Sequence, residues 1–100
     1  MNPHEIHEVI LQKLTKVIDP ETGVDVIKMK LIQDLQVDDN LKVSYLFRPS
    51  SPLCPLAVPL ALEIIQTIRE VQEISAQSIT VVDYVQAEEL NKTLKDLLEG

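Results

Sequence analysis

Lys30-Leu31-Ile32-Gln33-Asp34-Leu35-Gln36-Val37 and Leu41-Lys42-Val43-Ser44-Tyr45-Leu46-Phe47-Arg48, joined by Asp38-Asp39-Asn40, decide the fold. Both runs alternate apolar with polar residues, the pattern of strands with one buried face. Asp and Asn tolerate the positive φ of tight turns, so the three linking residues predict a hairpin. Val43, Tyr45 and Phe47 then face the core, with Leu31, Leu35 and Val37 opposite them, while Lys42, Ser44 and Arg48 turn outward.

Downstream, Pro49 to Pro55 holds three prolines in seven residues and reads as a loop. A helix is expected from about Cys54 to Glu73, with Leu60, Ile64, Ile65, Ile68 and Val71 as its buried stripe. Pro55 suits its first position, whereas Pro59 predicts an irregular first turn. Ile79 to Val85 is β-branched and predicts a strand. Ala87 to Leu98 predicts a last helix, with Leu90, Leu94, Leu97 and Leu98 inward and a Glu88–Lys92 pair one turn apart.

Upstream, Asn2 caps and Pro3 opens a helix whose Ile6, Val9, Ile10, Leu14, Val17 and Ile18 share one face. It is expected to stop at Asp19-Pro20, because the residue before a proline is pushed out of the α region. Val24 to Met29 reads either as a strand start or as an irregular turn. The order is α-β-β-α-β-α: an α+β, two-layer α/β fold with a small mixed three-stranded sheet covered by helices. The crossover helix lets the third strand run parallel to a hairpin strand.

The chain has 100 residues, 45% of them hydrophobic and 25% charged, the make-up of one globular domain spanning residues 1–100. A net charge of −7, with one Phe, two Tyr and no Trp, argues against nucleic acid as a partner. One cysteine cannot form an internal disulfide, which fits a reducing compartment. The N-terminus lacks the basic and apolar regions of a secretory signal, and no apolar run approaches the roughly 20 residues needed to span a bilayer. A cytoplasmic protein without a membrane partner is expected.

Cys54 is the sharpest chemical feature. At the expected helix N-terminus the local field favours thiolate, a nucleophile and soft-metal ligand. The same residue also fits as a small buried hydrophobe. Asp19 and Glu21 sit on a proline-stiffened turn where a carboxylate pair can do acid–base work or bind a hard cation, although Asp19 before Pro20 is also an ordinary turn former. His4 and His7, three apart in the first helical turn, fit solvent exposure better than metal ligation. Ser50 and Ser51 have no assignable base and read as loop hydroxyls. Without a Cys-x-x-Cys pair, one chain cannot enclose a four-thiolate zinc or iron–sulfur site.

Two motifs narrow the choice. Asp19-Pro20-Glu21-Thr22-Gly23-Val24 resembles the Asp-Pro-Glu-x-Gly-(Val/Ile) opening of a family of small iron–sulfur cluster assembly accessory proteins, the metal–sulfur cluster biosynthetic domain with SufT-like and PaaD-like members. Pro52-Leu53-Cys54-Pro55-Leu56-Ala57 is similar to that family's Pro-Gly-Cys-Pro-Leu-Ala. The resemblance runs over about residues 5 to 98. It implies that Cys54 is the motif cysteine, Asp19 and Glu21 the acidic turn and Gly23 the tight-turn glycine, with Pro20, Ser51 and Pro55 lining the same motifs. Lys28 and Lys30 stand where the family carries an acidic residue and a glycine, and Leu53 replaces the glycine before the cysteine. A glycine position can demand positive φ, which Lys30 would resist.

The resemblance implies a non-enzymatic accessory role in cluster assembly or transfer, with Cys54 as thiolate ligand or relay. The implied cofactor is an iron–sulfur cluster, transient or shared between chains. The implied partners are an assembly scaffold, a carrier ATPase or a client apoprotein, with a homodimer as a further expectation. A protein–protein adaptor with a structural Cys54 and a thiol-dependent enzyme remain as alternatives, the latter needing a general base beside Cys54.

Overall fold

The computed structural model describes residues 2–20, 22–50, 53 and 56–99. Helix α1 spans Pro3–Leu14; Asn2 caps it by accepting from the Glu5 N–H at 2.8 Å, and Ile6, Ile10 and Leu14 are buried. It ends well before Asp19, contrary to expectation. Thr15 turns its hydroxyl back onto Gln12 O at 2.6 Å, and short-range bonds from Lys16 N to Lys13 O and Val17 N to Leu14 O tighten the exit. This local competition ends the helix before Pro20 has any influence. Val17 is still buried, but Ile18 is 44% exposed and belongs to a strand.

That strand, β1 (Ile18–Asp19), pairs antiparallel with β2 (Val24–Asp25) across the Gly23 turn. The ambiguous segment from Val24 to Met29 is therefore both things: a two-residue strand followed by a turn. The hairpin strands are β3 (Ile32–Val37) and β4 (Lys42–Phe47), and β5 (Ala76–Val81) completes a sheet of order β3-β4-β5. β3 and β4 are antiparallel, while β4 and β5 are parallel in the register Tyr45↔Ile79, so the mixed sheet is as expected. β5 starts and stops earlier than its β-branched run suggests. Asp83 enters the left-handed region at φ 52°, turning the chain out of the sheet before Val85.

The hairpin turn also differs in detail. Asp38 Oδ1 accepts from the N–H groups of Asn40 and Lys42, both at 2.9 Å, while the positive φ of 61° falls on Leu41 rather than on an Asp or Asn. A bulge between Gln33 and Gln36 places Asp34 at φ 52°. Val43, Tyr45 and Phe47 are buried as expected, beside Ile79 and Val81, whereas Ser44, Ser78 and Thr80 stay exposed on the other face. The sheet thus has one packed face and one open face.

Helix α2 spans Ala57–Arg69, beginning three residues after Cys54 instead of at it. Pro59 is then its third residue, where a backbone N–H has no intrahelical acceptor to lose, and the irregular turn expected from Cys54 onward begins outside the described residues. Leu60, Ile64, Ile65 and Ile68 are buried on the helix, and Val71 is buried just beyond it. A buried polar link crosses this core: the Tyr45 hydroxyl donates to Gln77 Oε1 at 3.0 Å, and Gln77 Nε2 donates to Ile65 O at 3.2 Å.

Helix α3 spans Ala87–Glu99 and packs on β5. Leu90 and Leu94 are buried, but Leu97 is 44% exposed rather than inward. The ion pairs among the described residues are Lys13–Glu70 and Arg48–Asp83, so Glu88 and Lys92 do not form the expected one. His4 is exposed, while His7 is half-buried and donates from Nε2 to Leu35 O at 3.1 Å, which corrects the expectation of two solvent-facing rings.

Candidate functional site

The first motif folds into a compact double turn. Asp19 O accepts from Thr22 N at 3.2 Å and Gly23 N at 2.8 Å, which needs Gly23 at φ 73°. A side chain there would meet nothing within 4 Å, so the backbone angle and not space selects glycine. Thr22 Oγ1 accepts from Val24 N at 3.3 Å, and Asp25 Oδ1 accepts from Lys28 N at 2.8 Å. Asp19 itself is completely buried, the one carboxylate so enclosed among the described residues, whereas Pro20 is exposed. Carboxylates are almost never enclosed unless they are paired.

Backbone bonds stitch this turn to the sheet. Val26 N donates to Val17 O, Leu31 N to Val26 O, and Arg48 N to Leu31 O, at 3.0, 2.9 and 2.8 Å. The first motif is therefore anchored to the end of β4, from which the chain leads through buried Pro49 and exposed Ser50 toward the second motif in sequence. A cavity of about 350 Å³ lies at this junction, lined by Met29, Lys30, Gln33, Arg48, Pro49 and Ser50. Val82 N also donates to Phe47 O, and Arg48 Nε meets Asp83 Oδ2 at 3.1 Å, so the carboxyl ends of the two parallel strands close the same corner.

Lys30 adopts φ 61°, taking up the left-handed conformation that it was expected to resist. Glu21, Ser51, Cys54 and Pro55 lie outside the described residues. Asp19 and Gly23 are brought together in one turn. Sequence reasoning missed the Arg48–Asp83 pair and the cationic cavity wall; the lysine at a glycine position was the visible signal for the latter. Among the described residues no three His, Cys, Asp or Glu side chains gather as a metal site.

A small α+β domain with an antiparallel hairpin, a parallel crossover and the Asp19–Gly23 turn anchored at one sheet end defines the class. Residues 7–81 match the family described as iron-sulfur cluster assembly protein, and the chain belongs to that family. It is similar to an uncharacterized protein of Methanocaldococcus jannaschii, 28% identical over 89 residues that make up 89% of this chain and 94% of that one. It is also similar to the Fe-S protein maturation auxiliary factor YitW of Bacillus subtilis, 27% identical over 77% of this chain and 76% of that one. Among solved structures, a domain of unknown function from Bacillus anthracis superposes with a TM-score of 0.73 at 24% identity, covering 97% of this chain and 94% of that one. A conserved hypothetical protein from Thermotoga maritima superposes with a TM-score of 0.64 at 28% identity, covering 90% of each. No helix among the described residues is long and apolar enough to cross a membrane.

Proposed function

We infer that the protein is a non-enzymatic accessory factor for iron–sulfur cluster assembly, handling a cluster as cargo through the Cys54 thiolate. The observation that carries this reading is the family match over residues 7–81, which includes both the Asp19–Gly23 turn and the segment around Cys54. The maturation role in the name of the Bacillus subtilis relative points the same way. Thiolates select soft metals and iron–sulfur clusters over hard cations. With one cysteine in the chain, a cluster needs further ligands from a second copy, a scaffold, a carrier or the client, which suits transfer better than storage. Leu53, 73% exposed and next to Cys54 in sequence, offers apolar surface for such a partner to cover.

The test is activation of an apo client enzyme by a cluster donor, with the parent protein or Cys54→Ala added. The parent is expected to speed activation and the variant to lose that gain. Equal stimulation by both would move the protein to the adaptor reading, in which Cys54 only packs.

A further inference from the structure

We propose that the edge of β5 facing α3 is a docking trough for a short, acidic, extended segment of a partner protein, which adds to the sheet as a strand. The alternation of β5 sets the geometry. Val82 N donates inward to Phe47 O, while Val81 N and O turn the other way and are taken by Asn91, whose Nδ2 donates to Val81 O at 3.0 Å. Main-chain groups point to alternate sides along a strand, so those of Gln77 and Ile79 share the outward edge with Val81. At Val81 the Asn91 amide imitates a neighbouring strand. At Gln77 and Ile79 no group among the described residues does so, and a cavity of about 540 Å³ opens instead between β5 and the Asn91–Lys95–Leu98 face of α3. A second cavity of about 300 Å³ continues it past Ala76, Gln77 and Leu98 to Arg69.

Charge selects the occupant. The charged residues lining the trough are Lys42, Lys95 and Arg69, with no acidic side chain among the described residues, on a chain whose net charge is −7. None of the three is in an ion pair among the described residues. An occupant must supply main-chain donors and acceptors in strand spacing together with carboxylates, which an acidic extended peptide does. Such pairing also protects an otherwise open sheet edge.

The probe is a fluorescent six-residue peptide of alternating Glu and Val, titrated by anisotropy into the full chain. Binding should weaken about three- to fivefold on Lys95→Gln or Lys42→Gln, the loss of one exposed charge pair each. It should slow amide exchange at Gln77 and Ile79, and it should disappear when alternate amides of one register, but not the other, are N-methylated. Circular dichroism confirms that the variants fold. Absence of binding, binding indifferent to N-methylation, or burial of this edge in a self-dimer by sedimentation would each overturn the proposal.

Discussion

Replacing Lys30 with glycine should stabilise the protein. Lys30 sits at φ 61°, a region that costs an L-residue about 1–2 kcal/mol. Its main-chain bonds, N to Ile27 O at 3.0 Å and O from Gln33 Nε2 at 3.2 Å, survive the change, and its side chain is exposed and outside both ion pairs. Glycine adds freedom to the unfolded chain worth about 0.4–1 kcal/mol against folding. The difference leaves about 0.5–1 kcal/mol in favour of Lys30→Gly, a melting temperature higher by about 4 °C. Lys30→Ala separates backbone from side chain and should leave stability within about 0.5 kcal/mol of the parent. Leu41 has the same φ, but its half-buried side chain packs on the core. Leu41→Gly therefore loses about 1–1.5 kcal/mol of burial and should gain nothing. Thermal unfolding of the three variants reads this directly. The strain argument would be refuted if Lys30→Gly melted at or below the parent, or if Lys30→Ala gained as much.

Tyr45→Phe should cost about 1–3 kcal/mol in denaturant unfolding, because it leaves Gln77 Oε1 buried without its donor. Burial pushes the Tyr45 phenol above its ordinary value of 10.0. The unfolded chain then gives up this proton first, so the stability that Tyr45 contributes is complete below pH about 10 and falls as pH rises beyond it. Alkaline unfolding of a Tyr84→Phe protein, where Tyr45 is the sole phenol, should show that fall, and adding Tyr45→Phe should flatten it. Asn91→Ala should cost about 1–3 kcal/mol and speed amide exchange at Val81 and along α3, since two main-chain groups of β5 lose their partner. Unchanged exchange there would mean that Leu90 and Leu94 alone hold the helix.

The hairpin was legible because period-two alternation from Val43 to Phe47 survives into the structure unchanged, and the β-branched run from Ile79 located the third strand but not its ends. Boundaries were less so wherever one local bond outweighs a pattern. The Thr15 hydroxyl ends α1 before its apolar stripe runs out, and Pro59 is accommodated by moving the start of α2. Left-handed backbone at Leu41 was hidden for a similar reason, while at Lys30 the glycine position of the resemblance signalled it although the lysine itself argued against it. Tertiary anchoring of the 26–31 turn and the Asp38 side chain impose those angles on residues that do not favour them. At the candidate site, both motifs could be read from residue identity and spacing, because a turn glycine and a proline-flanked cysteine are local features. The enclosure of Asp19 could not, since an aspartate before proline looks alike on the surface and in the interior. The cationic trough beside β5 joins Lys42, Arg69 and Lys95, which no sequence period connects.

Anaerobic reconstitution with iron and sulfide, followed by visible absorption and iron content, tests the central claim most directly. The account predicts a cluster spectrum for the parent protein, with less than one full cluster per chain because each chain offers one thiolate, and its loss in Cys54→Ala. Equal iron and absorption in both proteins, or none in either when excess small-molecule thiol supplies the missing ligands, would contradict it.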